Sequence, residues 1–215
     1  MKPRPLTEKA KPFRLVKYFT YTSLVVIFLG TLILSALNTH WVRKLQYEKS
    51  VDYALLLIEN LNHQVFLQFI LPVGLKYGKI ELSNNEQFER MDNVVRSTLH
   101  SFKVEMVNIY GMTDQIAYSF SKEIIGMHNL GGSSYNKAAQ GEVSSKLVQS
   151  GSFWEILLGF PKEIKIITFA PLRAEKPLSR ISGPVLGVLE LVQIMSGDSK
   201  ALFKFQVLTV ATITV

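Results

Sequence analysis

Between Tyr18 and Val42 the chain carries no charged residue, and the run YFTYTSLVVIFLGTLILSALN (residues 18–38) is apolar almost throughout. At about 1.5 Å rise per residue, its roughly 21 residues span about 31 Å as a helix, matching a bilayer hydrocarbon core of about 30 Å. A cleaved leader has a shorter apolar region, of about 7 to 15 residues, and ends on small residues at a cleavage site. No small-x-small pair stands around Leu34–Leu37, so the run reads as a retained membrane anchor over 18–38. Tyr18, Phe19 and Tyr21 at one end and Trp41 at the other occupy the places of interfacial aromatic belts.

The formal charge of +7 is a matter of location. Lys2, Arg4, Lys9, Lys11, Arg14 and Lys17 lie in residues 1–17, opposed only by Glu8, whereas residues 18–203 hold 17 basic and 16 acidic side chains. A partner held through its phosphates needs a basic face on the folded part. The near-neutral remainder argues against nucleic acid. The same count sets the orientation, because cytoplasmic flanks are rich in Lys and Arg: six precede the apolar run, and Arg43, Lys44 and Lys49 follow it closely. The sequence therefore predicts a cytoplasmic tail over 1–17 and an exported region over 39–199, in the periplasm of an inner-membrane protein. With no cysteine, disulfides and thiolate metal sites are excluded.

The final residues FQVLTVATITV are uncharged and mostly apolar. A span needs about 20 residues, so the segment 201–215 reads as the start of a second membrane helix. Its β-branched residues keep a buried last strand or helix open as the other reading.

Within the exported region, Leu45, Val51, Leu55, Ile58, Leu61, Val65 and Phe69 recur near the helical period, predicting a helix over Trp41–Leu71 that continues out of the membrane. Pro72–Ser83, with Gly74 and Gly78, reads as a connection. A second helix is expected from about Asn85 to Ser101, capped by Ser83 or Asn84, with Phe88, Met91, Val95 and Leu99 on one face. From Lys103 the period becomes two. Val104–Tyr110 and Gln115–Phe120 read as a hairpin about the turn Gly111–Asp114, with Ile116, Tyr118 and Phe120 alternating with Ala117 and Ser119. A Gly- and Ser-rich loop over 126–134 then leads to a short helix through Tyr135, Ala138 and Ala139, which Gly141 ends. Glu142–Val148, Glu163–Pro171 and Pro184–Met195 are the further strands, with a polar turn around Glu175–Gly183. The fold class expected is α+β, a long N-terminal helix packed on a mostly antiparallel sheet of about five strands.

The runs VNIYGMTDQIAYS, SYNKAAQGEVSSKLV, IITFAPLR and GPVLGVLELV, in that order, resemble the single Cache family of extracytoplasmic sensor domains. The places that carry the resemblance are Gly111 and Asp114, Ala138 and Gly141, Thr168 and Pro171, and Gly183, Gly187 and Val188. It covers about Thr39–Ser199, its specific part being Val104–Val192. It implies a PAS-like sheet behind the long helix, small-molecule sensing outside the membrane, and control of a cytoplasmic output beyond residue 215. That output is most often a histidine kinase, with a diguanylate cyclase or a chemotaxis receptor as alternatives. Family ligands bind between the sheet and the segments that cross it. From composition and position the ligand-binding candidates are Tyr110, Tyr118, Tyr135, Trp154, Thr168 and Arg173, the last because its guanidinium suits a carboxylate. The family's amino-acid-binding pattern is not recognisable, so no ligand is carried over.

No nucleophile elbow, dinucleotide turn, phosphate loop or zinc pattern occurs, and His40, His63, His100 and His128 are scattered. No cofactor, metal or catalytic residue is expected. Glu190, alone in VLELV, is expected to face solvent, because a lone buried carboxylate is costly. A homodimer along the long helix is expected. The competing reading is a membrane-anchored assembly protein of a secretion or division machine.

Overall fold

The computed structural model describes residues 12–152, 162–174 and 183–195, with Lys204 and Leu208. Trp154, residues 1–11 of the tail, the turn after Ala174, the segment Ser196–Lys200 and most of the expected second span lie outside the described residues. The chain divides into two compact units, residues 1–45 with 201–215, and residues 46–200.

In the first unit the described element is the leading part of helix α1, Pro12–Val65. Its apolar side chains point outward all round: Leu24, Val26, Ile33 and Leu34 are each more than half exposed. Thr20, Thr22 and Thr31 return their hydroxyls to the carbonyls of Val16, Tyr18 and Ile27, one turn back. Polar groups are thus satisfied inside the helix, as hydrocarbon surroundings demand. By length and composition this helix is able to cross a membrane, with a mean hydropathy of 2.0 over its best window.

The second unit begins with the rest of α1, which runs directly into a π-helical turn, Phe66–Ile70, and then α2, Leu71–Tyr77. The expected connection at Pro72 is therefore helical. Proline is tolerated in a first turn, where it sits here. The wider turn lets the Leu71 amide reach the Phe66 carbonyl, five residues back. The carbonyl of Gln68, four residues before the proline and so denied its usual donor, accepts from Arg90 Nε at 3.0 Å. Gly78 ends α2 in the left-handed region with φ 71°. Helix α3, Asn85–Leu99, starts on Asn84, whose Oδ1 accepts from the Glu86 amide at 2.9 Å.

Five strands follow, β1 (Val104–Tyr110), β2 (Ile116–Ser119), β3 (Ser144–Ser150), β4 (Glu163–Arg173) and β5 (Val185–Ile194), with helix α4, Gly132–Ala139, between β2 and β3. The expected loop is shorter than predicted, since Gly132–Ser134 form the first turn of α4. The sheet is antiparallel throughout, in the order β2-β1-β5-β4-β3, so the last strand is its centre. This is α+β, a long helix behind a five-stranded sheet.

Alternation along the strands gives the sheet two buried faces. One carries Val107, Ile109, Tyr118, Ala170, Leu172, Leu189 and Leu191 and packs on Leu57, Leu61, Val65 and Phe69 of the long helix and on Met91, Val95 and Leu99 of α3. Each fully buried Val, Leu, Ile, Phe or Met among them contributes about 1.5–3 kcal/mol. The other face carries Tyr110, Phe169 and Val188 under Tyr135 and Ala138 of α4. Ile116 belongs to this second face although Tyr118, two residues on, belongs to the first. The expected alternation fails because the β1–β2 register shifts between Ile109 and Tyr110, placing Tyr110 opposite Ile116 rather than Ala117.

Two side chains of the long helix tie it to the edge of the sheet. Tyr47 Oη donates to the Ser145 carbonyl at 3.3 Å, and Asn62 Oδ1 accepts from the Arg173 amide at 3.0 Å.

At Gly187 an added Cβ would stand 2.4 Å from the Tyr110 carbonyl oxygen, a backbone atom that cannot turn aside. Gly187→Ala is expected to destabilise the domain by about 1–3 kcal/mol, the usual range for overpacking. Urea unfolding of the variant beside the parent chain measures it, and equal midpoints would contradict the packing described.

Candidate functional site

The face of the sheet under α4 concentrates the polar chemistry. Asn108 and Glu190 are cross-strand partners on β1 and β5, and Glu190 is paired on its other side with Phe169 of β4. Glu190 Oε2 accepts two hydrogen bonds, from Tyr110 Oη at 2.6 Å and from Asn108 Nδ2 at 2.8 Å. A carboxylate accepts and never donates, so the Asn108 amide must present its nitrogen to Glu190 and its oxygen elsewhere. That oxygen, on a side chain only 6% exposed, meets no hydrogen-bond donor.

Around this group stand aromatic rings. The Tyr110 ring lies 5.6 Å from that of Tyr135 and 6.2 Å from that of Phe169, both tilted. Lys146 Nζ lies 5.5 Å over the Phe169 ring. Tyr135 clips the β1–β2 turn from α4, its hydroxyl donating to the Gly111 carbonyl at 2.8 Å and accepting from the Asp114 amide at 3.0 Å. Asp114 holds φ 56° at this turn, and its Oδ1 is buried without a donor. Burial pushes its carboxyl above the usual carboxylate range, against the Gly131 amide and His128.

Burial, followed by the hydrogen bond to Glu190 and its negative charge, pushes the Tyr110 phenol far above its ordinary value. Tyr118 is raised in the same way, by burial and then by Asp92, whose Oδ1 accepts from its hydroxyl at 2.8 Å.

The structure sorts the sequence-selected residues into separate places. Tyr110 and Tyr135 come together under α4. Tyr118 and Thr168 are fully buried on the opposite face, Thr168 sharing a hydrogen bond with Ser145 at 3.0 Å. Arg173 stands at the end of β4, where its guanidinium donates to the carbonyls of Gly141 at 3.2 Å and Gly183 at 3.4 Å. Trp154 lies outside the described residues. Sequence reasoning missed Asn108 and Phe169 and expected Glu190 in solvent. Glu190 is instead half-buried and partnered. Position two before Tyr110 on one strand was the available signal for Asn108.

A separate open groove of about 840 Å³ runs between the π-helical turn with α2 and helix α3, lined by Leu67, Gln68, Pro72, Val73, Arg90 and Asn93 among others. None of the sequence-selected residues lines it. Among the described residues no group of three or more His, Asp or Glu side chains is placed to hold a metal.

Comparison with known proteins adds one finding. No family model and no curated protein matches the chain. Among solved structures, the sensor domain of the V. cholerae histidine kinase DctB aligns over 70% of this chain and 58% of its own, at 10% identity and a TM-score of 0.38. The chain thus spans less than two thirds of that structure.

Tyr110 and Tyr118 hold their protons more tightly in the folded domain than in the unfolded chain, where a phenol titrates near pH 10. Their contribution to stability is complete below that pH and is lost as the pH rises above it, because only the unfolded chain readily releases the protons. The double variant Tyr110→Phe, Tyr118→Phe is expected to be less stable at neutral pH and to lose stability less steeply above about pH 10. Denaturant midpoints measured across that range decide the matter, parallel curves contradicting it.

Proposed function

We propose that the chain is the input half of a transmembrane receptor. In this reading residues 1–17 are a cytoplasmic tail, 18–38 a membrane helix, 39–199 a periplasmic sensor domain, and 201–215 the start of a second span leading to a cytoplasmic output. The observation that carries the reading is helix α1, which continues without interruption from the exposed apolar run into the core of the sheet domain. A segment that needs lipid on one side of residue 45 and buries Ala54, Leu57 and Leu61 on the other joins a bilayer to a folded module.

The topology supports transmission. Strand β5 is at once the centre of the sheet, the strand that carries Glu190, and the strand from which Met195 leads, five residues on, to the second apolar run. A ligand that prefers one packing of β5 against α1 shifts the balance between two states by its difference in affinity, typically about 1–3 kcal/mol of coupling. The ligand candidates remain Tyr110, Tyr118, Tyr135, Trp154, Thr168 and Arg173, and Tyr110 with Tyr135 forms the group best placed to meet one. Tyr53, Leu56 and Leu67 leave apolar surface on the outer side of the long helix, a place for a second copy. The single Cache resemblance favours a histidine kinase as the output.

A flexible Gly-Ser segment inserted between Gly197 and Ala201 of the full-length receptor tests the coupling. With carboxylates, amino acids and amines supplied outside the cell, the parent receptor is expected to change its output with some of them. The insertion is expected to abolish that change while leaving basal output. An undiminished response in the insertion variant contradicts the mechanism.

A further inference from the structure

We propose that the α4 side of the sheet receives a small organic cation, a primary ammonium or guanidinium group, with Glu190 as its counter-ion and Asn108 Oδ1 as its second acceptor. The inference rests on the sensor reading above and names the class of ligand.

The argument is an inventory of hydrogen-bonding capacity. Glu190 has about four lone-pair sites, and two donors meet its Oε2, so it can accept more. The Tyr110 hydroxyl has given its proton to Glu190, and the Tyr135 hydroxyl has given its proton to Gly111. The Asn108 amide has turned its nitrogen to Glu190, so its buried oxygen is left as an acceptor without a donor. Apart from the Lys146 ammonium over Phe169, the polar capacity left open here is that of acceptors.

A buried acceptor left unpaired costs about 1–3 kcal/mol, and a ligand that only donates removes that cost. Neutral apolar ligands leave it in place, and a carboxylate would set acceptors against acceptors beside the Glu190 charge. The rings agree with the inventory, because aromatic faces attract cations within about 6 Å, and Lys146 already stands over Phe169. Lys165 is engaged elsewhere, its Nζ pairing with Glu105 at 2.8 Å and Glu163 at 3.5 Å. Arg173, the guanidinium suited to an anion, donates to the backbone carbonyls of Gly141 and Gly183. Glu190 is partly exposed, and that side gives the ligand its approach.

Calorimetric titration of the full chain in detergent micelles tests the inference, with n-butylammonium, n-butylguanidinium, n-butanol and n-butyrate as probes. Saturable binding of at least one cation is expected, with none of the alcohol or the carboxylate. Glu190→Gln, which keeps shape and an accepting oxygen, is expected to weaken the cation about tenfold or more, as loss of a charge-assisted bond does. Glu190→Gln is expected to keep the circular dichroism spectrum of the parent chain. That result separates lost charge from lost fold. Failure of both cations to bind the parent chain, or equal binding by Glu190→Gln, overturns the proposal. Binding of butyrate alone overturns the cation and leaves the sensor reading intact, since that reading is tested separately by the linker insertion.

Discussion

Everything in the sheet domain is arranged around the need of β5 to be covered on both faces. It lies between β1 and β4, and Val188, Leu189 and Leu191 are each within 1% of complete burial. The middle of a strand so placed has both faces buried, so the chain must supply one layer for each face. The long helix and α3 form the larger layer, and α4 forms the smaller. Gly187 completes the constraint from the backbone, since the close approach of β5 to the Tyr110 carbonyl leaves no room for a side chain.

A carboxylate in the middle of such a strand would be prohibitive if it stood alone. Glu190 is retained because β1 brings two donors to it, Asn108 and Tyr110, at successive positions on one face of that strand. The arrangement solves one electrostatic problem and creates an unpaired acceptor in its place, the Asn108 oxygen. Polar groups that the fold itself does not need to bury, gathered beside aromatic rings on the central strand, mark this face as the chemically specialised one. The opposite face is by contrast a packed apolar core whose hydroxyls, Tyr118 and Thr168, are satisfied by neighbours.

Much of this architecture is legible in the sequence, because periodicity reports burial directly. Phe88, Met91, Val95 and Leu99 mark the inner face of α3, the alternation after Lys103 marks the hairpin, and Gly141 with φ 96° closes α4 as its position suggests. What is not legible arises from pairings distant in the chain. Pro72 reads as a breaker, yet a π-helical turn and the side chain of Arg90, 18 residues later, let the helix proceed. Ile116 and Tyr118 read as one face, yet a register shift against β1 parts them. Arg173 reads as an anion fork, yet it is held by carbonyls 32 and 10 residues away. Glu190 reads as solvent-facing because its donors lie 80 and 82 residues earlier. Among the described candidate ligand residues, only Tyr110 and Tyr135 were brought together, since sequence position does not reveal which face a residue takes after a bulge.

The proposed receptor requires helix α1 to leave lipid and enter the sheet domain on the far side of the membrane. Its cysteine-free chain allows a direct measurement, in which a membrane-impermeant maleimide is applied to intact cells carrying single cysteines. Met112→Cys, at the exposed β1–β2 turn, is expected to react in intact cells, whereas Lys9→Cys is expected to react only after the membrane is opened. Labelling of the tail in intact cells, with the turn protected until lysis, would place the sheet domain in the cytosol and contradict the receptor.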